Sequence, residues 1–196
     1  MMKLTNNKIV RKSFQILVLS CGLFYFADLL CAGNDVGLKV YSASTQEQDG
    51  AYQLDAQLEY GLTKAALDAL ESGVPLTFEL VVDIFKPRKW IWNDVVASYN
   101  QRYQVVYHAL TQQYIVTNLN SGVQNSYSNR KTALLTMGRI NNYSLFDVDS
   151  MKIDKGHFGR LRISLLINEL PAPMRPWAYI NADWNLASDW FVWELK

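Results

Sequence analysis

Apolar and polar side chains alternate along several stretches of the chain. Between Ala51 and Tyr60, Tyr52, Leu54, Ala56, Leu58 and Tyr60 fall on one side, and Gln53, Asp55, Gln57 and Glu59 on the other. Side chains of a strand point to opposite faces in turn, so this run predicts a strand with one buried face and one wet face. Leu76, Phe78, Leu80, Val82 and Ile84 repeat the pattern over Pro75–Phe85, as do Leu161, Ile163, Leu165 and Ile167 over Phe158–Ile167. Val36–Ala43, Ser98–His108, Tyr114–Asn118 and Val123–Ser128 read as further strands. Thr45–Gly50, Thr111–Gln113 and Asn120–Gly122 carry the small and polar residues of turns.

Two segments change period. Thr63 can cap a short helix running to Ser72, with Ala65, Ala66, Leu67, Ala69 and Leu70 on its apolar side and Gly73 and Pro75 stopping it. Ser128 can cap a second helix over Asn129–Ile140, turning Ala133, Leu134 and Met137 inward. Residues 141–156 are polar and read as irregular. Pro171, Pro173 and Pro176 exclude a central strand or a helix there, and Trp177–Trp184 with Asp189–Leu195 reads as a closing hairpin. The sum is a mainly β fold: an antiparallel two-sheet sandwich of about seven to nine strands with two short helices. No internal repeat or long linker divides it, so residues 34–196 are read as a single β-sandwich domain.

The first 33 residues have a different grain. Lys3, Lys8, Arg11 and Lys12 precede the apolar run Phe14–Ala27, which Asp28 ends. That order, basic then apolar then small residues, is the pattern of a secretory signal. Cleavage after Ala32 or Gly33 fits the small residues there, although Leu30 is large for its place. Retained, the segment would be an N-terminal membrane anchor helix. Both cysteines, Cys21 and Cys31, lie in this leader, and neither sits in a good lipidation context, so the domain has neither a disulfide nor thiol chemistry.

Without the leader the chain holds 15 basic and 17 acidic residues, a net charge of −2. This balance gives no basic face for nucleic acid. The two histidines, His108 and His157, lack accompanying metal or triad spacing: His108 reads as a structural residue ending a strand, His157 as a surface residue. Asp147, Asp149 and Asp154 lack the glycine and closing glutamate of a calcium loop and read as solvated acids. Neither GxSxG nor SxxK occurs, and no glycine-rich phosphate loop is present. Glu59, Glu79 and Asp83 fall on polar strand faces with nothing to pair them as glycosidase carboxylates. No catalytic residue, metal site or cofactor is expected.

What the chain does have is aromatic and cationic surface candidates. In Lys86-Pro87-Arg88-Lys89-Trp90-Ile91-Trp92, three cations adjoin two indoles, which suits either a partner or membrane contact or a packed connector. Trp177 follows Pro176 in a rigid loop with Arg175 beside it, and Arg160 and Arg162 share the polar face of one strand. Trp184, Trp190 and Trp193 either pack the sandwich or form an interaction hot spot.

Several segments together resemble a known family: Ala66-Leu67 with Gly73-Val74-Pro75-Leu76; Tyr103 with Tyr107-His108-Ala109-Leu110 and Tyr114; Leu170-Pro171-Ala172-Pro173-Met174-Arg175; and Trp184-Asn185-Leu186-Ala187-Ser188-Asp189-Trp190 with Trp193. The resemblance is to the domain of unknown function family numbered 4390, exported proteins of Gram-negative bacteria, and it spans roughly residues 36–196. Trp184, Leu186, Ser188, Trp190 and Trp193 form its most specific motif. The family has no assigned activity, so the resemblance implies no catalytic residues. It implies a periplasmic domain, or one anchored in the inner membrane, and a link to a membrane sensor kinase. The expectation is therefore a non-enzymatic protein-interaction domain for an envelope or membrane partner. A small-ligand or lipid-binding sandwich is the alternative, with an unrecognised hydrolase behind it.

Overall fold

The computed structural model describes residues 36–87, 94–150 and 156–195. The chain divides into two units, Met1–Asp35 and Val36–Lys196. The predicted signal or anchor helix lies outside the described residues. Among those described, no helix is long and apolar enough to cross a membrane.

Among the described residues, nine strands make two antiparallel sheets. The small sheet has the order β1 (Gly37–Gln48), β2 (Ala51–Gly61), β7 (Arg139–Asp147). The large one has the order β6 (Gln124–Tyr127), β5 (Gln113–Asn118), β4 (Asp94–His108), β3 (Leu76–Lys86), β8 (Phe158–Leu165), β9 (Phe191–Glu194). Helix α1 (Lys64–Glu71) follows β2, α2 (Arg130–Met137) precedes β7, and α3 (Arg175–Ile180) lies between β8 and β9.

The alternating runs become the core. Leu54, Leu58 and Tyr60 of β2, Phe78, Leu80, Val82 and Ile84 of β3, and Leu161 and Ile163 of β8 are all buried. The sheets meet through three side-chain columns. Tyr60 packs edge-on against Phe78 at 5.0 Å between centroids. Tyr99 of β4 stacks on Phe146 of β7 at 6.3 Å, and Gln101 Nε2 donates to Tyr143 Oη at 2.5 Å. At the third column Trp193 Nε1 of β9 donates to Thr45 Oγ1 of β1 at 2.8 Å. The inter-sheet space is thus filled by large aromatic and aliphatic side chains, the arrangement expected of a sandwich core.

Helix α1 forms as the sequence predicts: the Thr63 side chain accepts from Ala66 N, and Gly73, at φ +83°, follows the Ser72 cap. Other segments depart from expectation for identifiable reasons. Thr45–Gln48, read as turn, extends β1, because the reversal needs only Asp49 and Gly50; both have positive φ, which suits a two-residue hairpin. The second helix is capped by Asn129, not Ser128: Asn129 Oδ1 accepts from Thr132 N at 2.7 Å. It stops at Met137, where Gly138 serves as its cap.

Beyond that cap, Arg139–Asp147 is a strand and not an irregular loop. Its register against β2 shifts between Tyr52 and Gln53 and again between Leu54 and Ala56, which erases the period of two from its sequence. The expected Trp177–Trp184 strand does not form. Arg175–Ile180 is helical, with Pro176 in the first turn, where the missing N–H costs no intrahelical bond. A 3-10 turn at Ala182–Trp184 follows, so the chain closes with β9 alone, paired to β8.

Candidate interaction surface

The outer face of the large sheet carries a charged and aromatic cluster built from three adjacent strands. The register places Ser98 of β4 and Arg160 of β8 on either side of Asp83 in β3. Asp83 therefore takes contacts from both flanks: Ser98 Oγ donates to Oδ1 at 2.6 Å, and Arg160 donates to Oδ2 from Nε at 2.8 Å and from Nη2 at 2.7 Å. Asp83 is buried, and such a carboxylate is tolerated only when paired and hydrogen-bonded, as it is here.

The same guanidinium is held between rings. Arg160 Cζ lies 4.4 Å from the Trp190 ring centre and 5.6 Å from that of Phe85, which itself stacks on Phe158. Arg162 Cζ reaches the Trp190 ring at 6.0 Å, and its Nε donates to the Ser188 carbonyl at 3.1 Å. Trp190 keeps 37% of its surface exposed, and Val192 on β9 keeps 51%. An indole with two guanidinium groups beside it loses little conformational freedom on binding and offers both apolar area and positive charge.

The segment that presents Trp190 is laced to β8. Leu165 N donates to Leu186 O at 2.8 Å, and Ser188 N donates to Ile163 O at 2.9 Å. Ser188 Oγ accepts from Ile163 N at 3.1 Å and donates to Asp189 O at 2.9 Å.

A family model described as a domain of unknown function, DUF4390, matches residues 36–194. The chain belongs to this family. No curated protein and no solved structure matches it.

Within this DUF4390 domain the tryptophan-bearing motif divides by role. Trp184, Leu186 and Ser188 are buried, Trp193 bridges the sheets, and Trp190 alone of these tryptophans is exposed. Among the described residues, the remaining sequence candidates fall on separate elements. Lys86 ends β3, while Arg88, Lys89, Trp90 and Trp92 lie outside the described residues. Arg175 and Trp177 are on α3, in the excursion 167–185 that leaves and rejoins the far end of β8, beside Thr77 at the start of β3. Lys86 and α3 thus sit at opposite ends of the large sheet. Arg175 Nε donates to the Leu170 carbonyl at 2.7 Å.

The two histidines are also far apart, His108 exposed at one end of β4 and His157 just before β8 at the other end of the sheet. His157 is buried, not at the surface: the chain turning into β8 tucks it beneath the C-terminus, whose Leu195 N donates to its carbonyl at 3.1 Å. Among the described residues no three His, Asp or Glu side chains gather as a metal site, and Asp154 lies outside them.

Sequence reasoning missed Asp83 and Ser98 as parts of the cluster, and Tyr179 and Ile180 beside Trp177. An acid flanked by the apolar runs Leu80-Val81-Val82 and Ile84-Phe85 was the available signal for Asp83. For Tyr179 and Ile180 it was Pro176, a residue favoured in the first turn of a helix.

Proposed function

We propose that this chain is an exported, non-enzymatic envelope domain that docks a protein partner on the outer face of its large sheet, around Trp190. The observation that carries the reading is the exposed Trp190 indole with the Arg160 and Arg162 guanidinium groups against it. Trp and Arg are the residues most enriched in interface hot spots, and a pre-ordered pair lowers the cost of binding. The buried Asp83 offsets the charge of Arg160, which leaves Arg162 to favour a partner segment bearing a carboxylate beside an apolar side chain. Packed aromatic pairs between the sheets favour binding on the outside over a ligand held within. The basic, apolar leader supports export to the periplasmic side of the inner membrane, and a membrane sensor kinase is the first partner class to test.

A photo-reactive amino acid at Val192 of the full chain, expressed in its native cells, should give one discrete protein adduct. Arg162→Glu, at an exposed position, should abolish that adduct while expression stays normal. Absence of an adduct, or one indifferent to Arg162→Glu, would overturn the reading.

A further inference from the structure

Helix α3 exposes three large side chains in four residues: Trp177 is 64% exposed, Tyr179 65% and Ile180 76%. Ala178 is buried and fixes the helix to the domain. Asp183, three residues after Ile180, accepts through its carbonyl a hydrogen bond of 2.8 Å from Thr63 Oγ1, the cap of α1. Thr63 stands two residues beyond Gly61, and Gly61 pairs with Gly37 at the start of β1. The exposed side chains and the point where residues 1–35 enter the domain therefore share one end of the fold. The β1–β2 hairpin at Asp49-Gly50 lies at the other end, about 36 Å away along β1 at ~3.3 Å per residue.

The length of chain ahead of β1 says what covers this end. The apolar run Phe14–Ala27 closes at Asp28, and eight residue steps separate Asp28 from Val36. Extended, they reach at most roughly 28 Å at about 3.5 Å per residue. A retained leader lodged in a bilayer would hold the β1 entry within that distance of the lipid surface. The composition of α3 suits that surface, because Trp and Tyr favour the headgroup level and an isoleucine beside them gains by entering the acyl boundary. Arg175, in the first turn of the helix, adds one cation for anionic headgroups.

We infer that α3 is a lipid-contact face: with the leader retained, Trp177, Tyr179 and Ile180 rest in the interfacial zone of the membrane that anchors the chain. The inference rests on the leader acting as an anchor and not on the Trp190 surface, which is built on Arg160 and Arg162.

The test uses the full chain reconstituted into vesicles of phosphatidylethanolamine and phosphatidylglycerol, with one nitroxide per variant. A label on native Cys21, with Cys31→Ser, reads leader insertion. Labels at Ile180→Cys and at Gln48→Cys, with both native cysteines replaced by serine, read the two ends of the domain. The expected result is a label at Ile180 more accessible to oxygen than to a water-soluble nickel chelate, and the reverse at Gln48. A buried Cys21 label with nickel-accessible labels at both ends would overturn the lipid-contact face while leaving the anchor intact. A nickel-accessible Cys21 label would remove the anchor and the inference with it. Neither result bears on the Val192 adduct.

Discussion

Replacing Gly159 with alanine tests the corner where the two sheets are tied together. Gly159 of β8 pairs with Trp193 of β9, and the indole lies over the glycine. A Cβ built at position 159 stands 2.9 Å from Trp193 Cη2 and closer still to Cζ2 and Cε2. Carbon atoms prefer about 3.5–4.0 Å, so the ring must retreat by more than half an ångström. Any such displacement disrupts the geometry of the hydrogen bond from Nε1 to Thr45 Oγ1, now 2.8 Å. The lost hydrogen bond is worth about 1 kcal/mol, and stranding the hydroxyl of buried Thr45 adds ~1–2 kcal/mol. Against this, alanine lowers the entropy of the unfolded chain by an amount worth about 0.4–1 kcal/mol. The expected net loss is roughly 2 kcal/mol. Urea denaturation followed by circular dichroism measures it, and a double-mutant cycle assigns it. With Trp193→Ala already present, Gly159→Ala should be neutral or slightly stabilising. An equal cost in both backgrounds would refute the steric account.

Two further outcomes follow from the same core. Gly138→Ala should destabilise by about 2–3 kcal/mol, because its Cβ would press into the Leu58 peptide, 3.2 Å from the carbonyl carbon, and spread the Leu58 N to Gly138 O bond now at 2.7 Å; a change in urea midpoint too small to resolve would count against the close approach. Burial, then the neighbouring Tyr103, pushes the Tyr60 phenol well above its ordinary value of 10.0, so the folded state keeps the proton when the unfolded chain has lost it. The contribution of Tyr60 to stability should be constant below about pH 10 and fall as pH rises beyond it. In denaturant titrations Tyr60→Phe should lessen the alkaline decline, to which the raised phenols of Tyr99, Tyr103 and Tyr114 also contribute.

Much of the fold was legible in the chain because it depends on local pattern. Period two marks β2, β3 and β8 without help, since each has one face in the core and the extra residues at the register shifts fall on their neighbours β1, β4 and β7. Thr63 and Gly73 mark the ends of α1 through backbone geometry alone. The polar face holding Arg160 and Arg162 was legible for the same reason, and Trp190 entered through the family motif.

What the sequence could not supply depends on which strand lies beside which. β7 is a strand because β2 needs a second neighbour, and its register shifts hide it from any periodic reading. Asp83, Ser98 and Arg160 lie between 15 and 77 residues apart and become one cluster only when β4, β3 and β8 align. Gly159 carries no local signal at all; its role appears when Trp193 is laid over it from another strand. Alternation along a strand is a property of one segment and its contact with water. Register, closure and the meeting of distant side chains are properties of pairs of segments, and only tertiary packing selects them.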